Sequence, residues 1–399
     1  MFSRLLMSCL NFLVDILLAM CNNLSLVKAN MNDKENFMKK NLLTVLLAGV
    51  LTTGLTACGA AEAATEKAEA PEASEEISVA EENEESPASE VSTEDTAFPI
   101  TINHALGETV IEKNPENIVA ISWGNPDVPL ALGIVPAGVS EANFGPTDEN
   151  GLLPWTAKAF EDLGVTDPNV FDDTDGWDYE AIADCAPDVI LAAYSGLAQE
   201  EYDRLSEIAP VVAYPDVAWA TTWQEETVND AKALGLEAEG QALVDETEKM
   251  IAERLSAYPS LEGKKVAFFW LSEDDLGTFY IYTNNDPRAA FLGDLGLVTP
   301  DSVTSLIEDE EAFYVTASAE NANLLTDVDI IITYGTESLI DAMQNDGRFS
   351  MIPAVNNGAF VLLDSNDALA AASTPTILSI PYSIDEYLKA LNYAAEKIQ

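Results

Sequence analysis

The side chains best suited to chemistry in this sequence are aromatic. Trp123, Tyr194, Trp219, Trp223, Tyr282 and Tyr334 each follow, or lie in, a short apolar run, several beside glycine or small polar residues, as in Trp123-Gly124-Asn125, Tyr194-Ser195-Gly196 and Tyr334-Gly335-Thr336. Such rings offer a large contact area at low entropy cost, with a polar tip on Trp and Tyr. In open α/β sheets the ends of strands are where ligands sit. The chemistry implied is capture of a bulky ligand on a concave apolar wall with a few polar anchors. Trp270, inside the apolar run Lys265–Leu271, reads as core instead. Arg288 and Arg348 stand out because only twelve Lys and Arg occur from Phe98 onward. A guanidinium grips oxygen acceptors through two N–H groups at once.

Bond-making chemistry finds little support. His104 is the only histidine, so a zinc site of three or four N and S ligands cannot be built on histidine, and any Ser–His–Asp arrangement would need His104 itself. There is no Gly-x-Ser-x-Gly elbow, no phosphate-binding Gly-x-x-x-x-Gly-Lys-Ser/Thr loop, and no carboxylate pair singled out by spacing. The expectation is a chain that is not an enzyme and holds no resident cofactor or metal. His104 falls in the first strand region and reads as structural. Of the four cysteines, Cys9, Cys21 and Cys58 precede the folded part, and Cys185 reads as a small buried hydrophobe.

Charge narrows the partners. With 69 acidic residues against 18 basic, the net charge is -51. Nucleic acids and anionic membrane surfaces are excluded as partners, because both demand clustered Lys and Arg. Repulsion on this scale also favours a soluble monomer.

The first 97 residues read as an address and a leash. Met38-Lys39-Lys40 is a basic start, Leu42–Leu51 an apolar run of signal-peptide length, and Leu55-Thr56-Ala57-Cys58-Gly59 a bacterial lipobox. Cys58 is the expected lipidation site, which would anchor the chain on the outer face of the cell membrane. Residues 1–57 are thus a signal region, with 1–37 read as an over-extended start ahead of Met38. Residues 58–97 are rich in Ala, Glu, Ser and Pro and lack aromatics. They cannot bury enough surface to fold, and their like charges extend them as a disordered tether.

Strand–helix alternation begins at Phe98. Strands are expected at Asn117–Ile121, Asp188–Ala192, Pro210–Ala213, Lys265–Leu271, Phe279–Thr283, Asp329–Thr333 and Ala359–Leu363. Several are apolar throughout, as in a parallel sheet covered on both faces. The fold class is α/β. Trp223–Leu234 and Ala238–Tyr258 read as helices with no strand between them. The division expected is an N-terminal lobe at 98–236, a connecting helix at 237–258 and a C-terminal lobe at 259–399. A helical connector is stiff, so large lobe closure is not expected.

Ile102–Ile111, Asn114-Pro115-Glu116-Asn117-Ile118, Ala131-Leu132-Gly133 with Pro136 and Gly138-Val139, Ala186-Pro187-Asp188-Val189-Ile190, Leu205–Val212, Phe291–Gly296 and Ser379-Ile380-Pro381-Tyr382 form an ordered set. This set resembles the ferric siderophore/vitamin B12 family of ABC-transporter solute-binding proteins, over nearly all of 98–399. The resemblance implies two Rossmann-like lobes joined by a long helix, with ligand in the cleft between them. It implies capture of a pre-formed iron(III)–siderophore chelate and delivery to a permease with its own ATPase. Arg288 matches a family position near the cleft, and Glu200 or Glu201, with Asp294, match carboxylates that meet permease arginines. Asp294 departs from the family's usual Glu.

The scarcity of Lys and Arg points to a neutral or cationic chelate of hydroxamate or mixed type, since a tris-catecholate complex is strongly anionic. A cobalamin or haem binder of the same fold is the nearest alternative; haem is disfavoured by the lone histidine. A surface-tethered hydrolase is the alternative from a different class.

Overall fold

The computed structural model describes residues 98–173 and 176–398. The signal region, Cys58 and the tether lie outside the described residues. A hairpin opens the fold: β1 (Ile100–His104) pairs antiparallel with β2 (Gly107–Ile111). Next come β3 (Ile118–Ala120), β4 (Gly138–Ser140), β5 (Val170–Phe171), β6 (Val189–Leu191) and β7 (Val211–Val212). They form one sheet in the order β5-β4-β3-β6-β7, parallel throughout.

This sheet is buried on both faces, and the alternation of strand side chains explains the two cores that result. Ile118, Ala120, Val189, Leu191 and Val212 point to one side, where they meet Leu130, Val139 and Phe160. Val119, Ile121, Ile190 and Val211 point to the other, against Ile182, Leu197 and Leu205. Residues that must satisfy both faces are apolar at every position, hence the continuous runs in the sequence.

The second sheet contains β8 (Val266–Ser272), β9 (Asp275–Tyr282), β10 (Tyr314–Ser318), β11 (Ile330–Tyr334) and β12 (Phe360–Leu363), in the order β10-β9-β8-β11-β12. Only half of it is parallel. β8, β11 and β12 run together, whereas β8, β9 and β10 alternate in direction. The antiparallel side has one open face, and β9 and β10 carry correspondingly mixed burial.

Between the sheets the chain is helical. Trp223–Ala233 starts with a reciprocal cap: Thr222 Oγ1 accepts from the Glu225 N–H, and Glu225 Oε2 accepts from the Thr222 N–H. Helix Glu237–Leu255 follows after Gly235, and no strand intervenes. A Cβ on Gly240 would fall 2.4 Å from Ala231 Cβ, so glycine lets the two helices touch. Helix Ser379–Ala395 packs along Glu237–Leu255, and Trp223, Val128 and Ala231 join the core of the second sheet.

Candidate functional site

Loops at the strand ends meet in a cleft of about 420 Å³, walled by Trp123, Asn143, Phe144, Tyr194 and Trp219 on one side and Trp270, Tyr282, Arg288 and Tyr334 on the other. Six of the seven ligand-binding positions expected from sequence therefore line one space. Trp223 does not. It is 2% exposed, packed in the core of the second sheet, with its Nε1 donating to Asp294 Oδ2 at 2.9 Å. Its helix turns that face inward together with Thr227, Asp230 and Ala231.

Trp270 corrects the sequence reading in the other direction. It is 48% exposed and stands in the cleft wall. β11 covers β8 only from Val266 to Phe269. Trp270 is paired with Tyr280 of β9 alone, so the apolar run continues past the point where the parallel ladder ends.

On the N-terminal side, a residue not singled out from sequence holds the wall together. Asn125 is fully buried. Its Nδ2 donates to the carbonyls of Ile121, Trp123 and Tyr194, and its Oδ1 accepts from the Tyr194 N–H at 3.1 Å. One amide thereby ties the loop after β3 to the loop after β6. Trp123 Nε1 reaches the carbonyl of Thr374 at 3.4 Å. Tyr194 and Trp219 meet edge to face, with centroids 5.4 Å apart. Trp219 has φ +64°, a left-handed conformation costly for a bulky side chain, and its N–H donates to the Ser195 carbonyl. Burial pushes the Tyr194 hydroxyl well above its ordinary pKa, so it is a neutral donor.

On the C-terminal side, Arg288 is the only charged residue in the cleft wall among the described residues. Its guanidinium carbon lies 3.9 Å from the centre of the Tyr282 ring. Nε and Nη2 donate to the two carboxylate oxygens of Asp286 at 2.8 and 2.6 Å. Burial opposes the positive charge, but the Asp286 bonds and charge outweigh it and raise the Arg288 pKa, so the guanidinium stays charged. Burial pushes Tyr282 up to about 12, against the lowering pull of the Arg288 charge. Tyr334 exchanges a hydrogen bond with Ser373 at 3.1 Å. Phe144 packs edge to face on Tyr334 at 5.5 Å and so brings the two walls together.

A smaller chamber of about 210 Å³ shares Trp123, Asn143 and Trp219 with the cleft. Asp127 lies at its base and accepts from Trp155 Nε1, Thr156 Oγ1 and Thr376 Oγ1.

The remaining residues weighed from sequence lie elsewhere. Arg348 pairs with Asp346. His104 is buried, bonded to Thr109 and edge-on to Tyr202, and burial lowers its pKa. Cys185 is half-buried and its Sγ accepts from Asn169. Glu200 and Glu201 open helix Gln199–Ser206, and Glu201 Oε2 accepts from the Ala198 N–H. Asp294 is exposed and engaged by Trp223 and Gln224. No group of three His, Cys, Asp or Glu among the described residues is arranged to hold a metal ion.

Comparison with known proteins follows the same lines. The family model for "Periplasmic binding protein" matches residues 118–366. The chain is 25% identical over 276 residues to the Fe(3+) dicitrate-binding periplasmic protein FecB of Escherichia coli K12, covering 68% of this chain and 84% of FecB. The structure of PiaA of Streptococcus pneumoniae TIGR4 in complex with ferrichrome is similar with a TM-score of 0.72 and 46% identity, over 75% of this chain and 100% of PiaA. Staphylococcus aureus SirA complexed with staphyloferrin B shares the fold with a TM-score of 0.57 and 22% identity, over 73% of this chain and 98% of SirA.

Proposed function

This chain belongs to the periplasmic binding protein family, and from that premise we propose that it captures an iron(III)–siderophore chelate outside the cytoplasm and delivers it to the permease of an ABC importer. The observation that carries the reading is the cleft itself: aromatic side chains from both sheets face one another across about 420 Å³, with one guanidinium among them. That is the lining a bulky, pre-wrapped metal complex needs. The metal is cargo, already ligated, and the wall supplies contact area and a few hydrogen bonds. PiaA was solved holding ferrichrome, and FecB is named for ferric dicitrate; both support an iron complex as the occupant.

The cleft favours an electrically neutral chelate. Arg288 is already paired, and the chain as a whole carries a net charge of -51. A ferric tris-hydroxamate, which has no net charge, meets no repulsion there; a trianionic tris-catecholate does. Cys58, in its lipobox, would hold the folded part at the outer membrane face through a lipid.

The direct test is quenching of tryptophan emission by a panel of ferric chelates and cobalamin. Saturable quenching at micromolar or lower concentration by a hydroxamate chelate is expected, since Trp123, Trp219 and Trp270 line the cleft. Absence of saturable binding across all iron chelates would remove the reading.

A further inference from the structure

Two residues apart in sequence, Asp286 and Arg288 form a buried ion pair at the cleft wall. Asp286 is 2% exposed. It caps helix Pro287–Asp294 by accepting from the Arg288 N–H at 2.9 Å, and it also accepts from the Arg288 side chain through both oxygens. The same carboxyl group therefore does two separable jobs. One is a helix cap, which any side-chain oxygen at this position can perform. The other is cancellation of a guanidinium charge, which needs the carboxylate.

We infer that Asp286 sets the charge class of the ligand by neutralising Arg288, so that the guanidinium meets the chelate as a hydrogen-bond donor without acting as an anion trap. The inference rests on the chelate-capture reading above and adds a residue that does not itself touch the ligand.

The geometry supports it in three steps. Of the five N–H groups on a guanidinium, two are taken by Asp286, and Nη1 approaches Tyr334 Oη at 3.5 Å. The remaining N–H groups can still donate to carbonyl or hydroxamate oxygens. Tyr282 beneath the guanidinium is neutral, and no other charged residue lines the wall among the described residues. An uncompensated guanidinium in this low-dielectric setting would attract any anionic chelate strongly; the pair, seen as a unit, has no net charge to offer.

The experiment compares two hexadentate ferric chelates, an uncharged tris-hydroxamate and a trianionic tris-catecholamide, titrated into the full chain by tryptophan quenching. Asp286→Asn keeps an oxygen for the cap while deleting the negative charge. It is expected to shift the ratio of affinities toward the tris-catecholamide by on the order of tenfold, a shift that weakens with added salt. Adding Arg288→Gln in the Asp286→Asn background removes the unpaired charge and should return the ratio to that of the unmodified chain. Mere structural damage lowers both affinities together and leaves the ratio in place. If the unmodified chain binds a chelate but the ratio does not move in Asp286→Asn, the role of Asp286 is overturned and capture stands. If no chelate binds the unmodified chain, capture and the charge rule fall together.

Discussion

The indole of Trp219 lies directly over Gly196: a Cβ built on that glycine would sit 2.0 Å from Trp219 Nε1. Trp219 is also 38% exposed, held at φ +64° and packed on Tyr194. Its place in the cleft wall thus depends on a residue with no side chain. Gly196→Ala should push the ring away and weaken chelate binding by about tenfold, the scale of one lost aromatic contact. Thermal stability should change little, because Gly196 is only half-buried. Affinity equal to that of the unmodified chain would show that Trp219 does not contact ligand.

Trp270 offers the complementary case. Its ring touches Tyr280, at a centroid distance of 5.1 Å, and otherwise faces the cleft. Trp270→Ala is expected to lower affinity by about tenfold while costing under about 1 kcal/mol of stability, as usual for an exposed side chain. A large drop in unfolding midpoint with unchanged affinity would restore the core reading suggested by the apolar run.

These two residues show what could and could not be read from sequence. All seven expected strands form: six belong to the parallel ladders, where burial on both faces writes itself as an unbroken apolar run, and β9, with one open face, is marked instead by the aromatic and β-branched residues of Phe279–Thr283. β4 and β5 carry no sequence signal, because three and two residues are too few to set up any pattern. β10 alternates between exposed and buried positions but sits in a polar stretch, and its partner β9 supplies the context. The cleft positions are legible where an aromatic ends or follows a strand, as Trp123, Tyr194, Trp219, Tyr282 and Tyr334 do. Trp223 failed that rule: it opens a helix, and the spacing to Thr227 and Ala231 marks an inward face. Trp270 failed because coverage by a neighbouring strand is a tertiary fact. Asn125 carries no sequence signal beyond its place in a polar loop.

Acid should stabilise this fold over a defined window. Asp127 is fully buried, and desolvation pushes its pKa up to about 6 despite three side-chain donors. Glu226 and Asp230 are likewise buried and shifted well upward, by burial and, for Glu226, by the neighbouring acids. A carboxyl whose pKa is higher folded than unfolded binds more protons in the folded state. Stability therefore falls as pH rises from about 4 through about 6, and is regained on acidification. Asp127 alone accounts for about 3 kcal/mol over that window, at about 1.4 kcal/mol per pH unit. His104, whose pKa is lowered by burial, opposes this as pH drops below its ordinary value. Glu226→Gln isolates the acids: its unfolding midpoint at pH 8 should exceed that of the unmodified chain, with the gap closing toward pH 5. An equal or lower midpoint at pH 8 would contradict the burial argument.

Permease docking separates from ligand binding if carboxylates outside the cleft carry it. Glu200 is exposed on the first turn of its helix, whereas Glu201 is occupied by the Ala198 N–H. Reversal at Glu201 would thus cost a helix cap, about 1 kcal/mol, as well as a charge. Asp294 poses a similar difficulty, because it orients Trp223 where that ring enters the core of the second sheet. The informative pair is Glu200→Lys, which disturbs no hydrogen bond, and Asp294→Asn, which keeps an oxygen for the Trp223 N–H and loses only charge. Paired charges on two separate surfaces set orientation and encounter rate more than affinity. Iron uptake by cells carrying both changes should fall at least tenfold while chelate affinity measured by tryptophan quenching stays within twofold. Full uptake by the double variant would withdraw both residues from docking. Impaired affinity would place the defect in the cleft, which neither side chain lines.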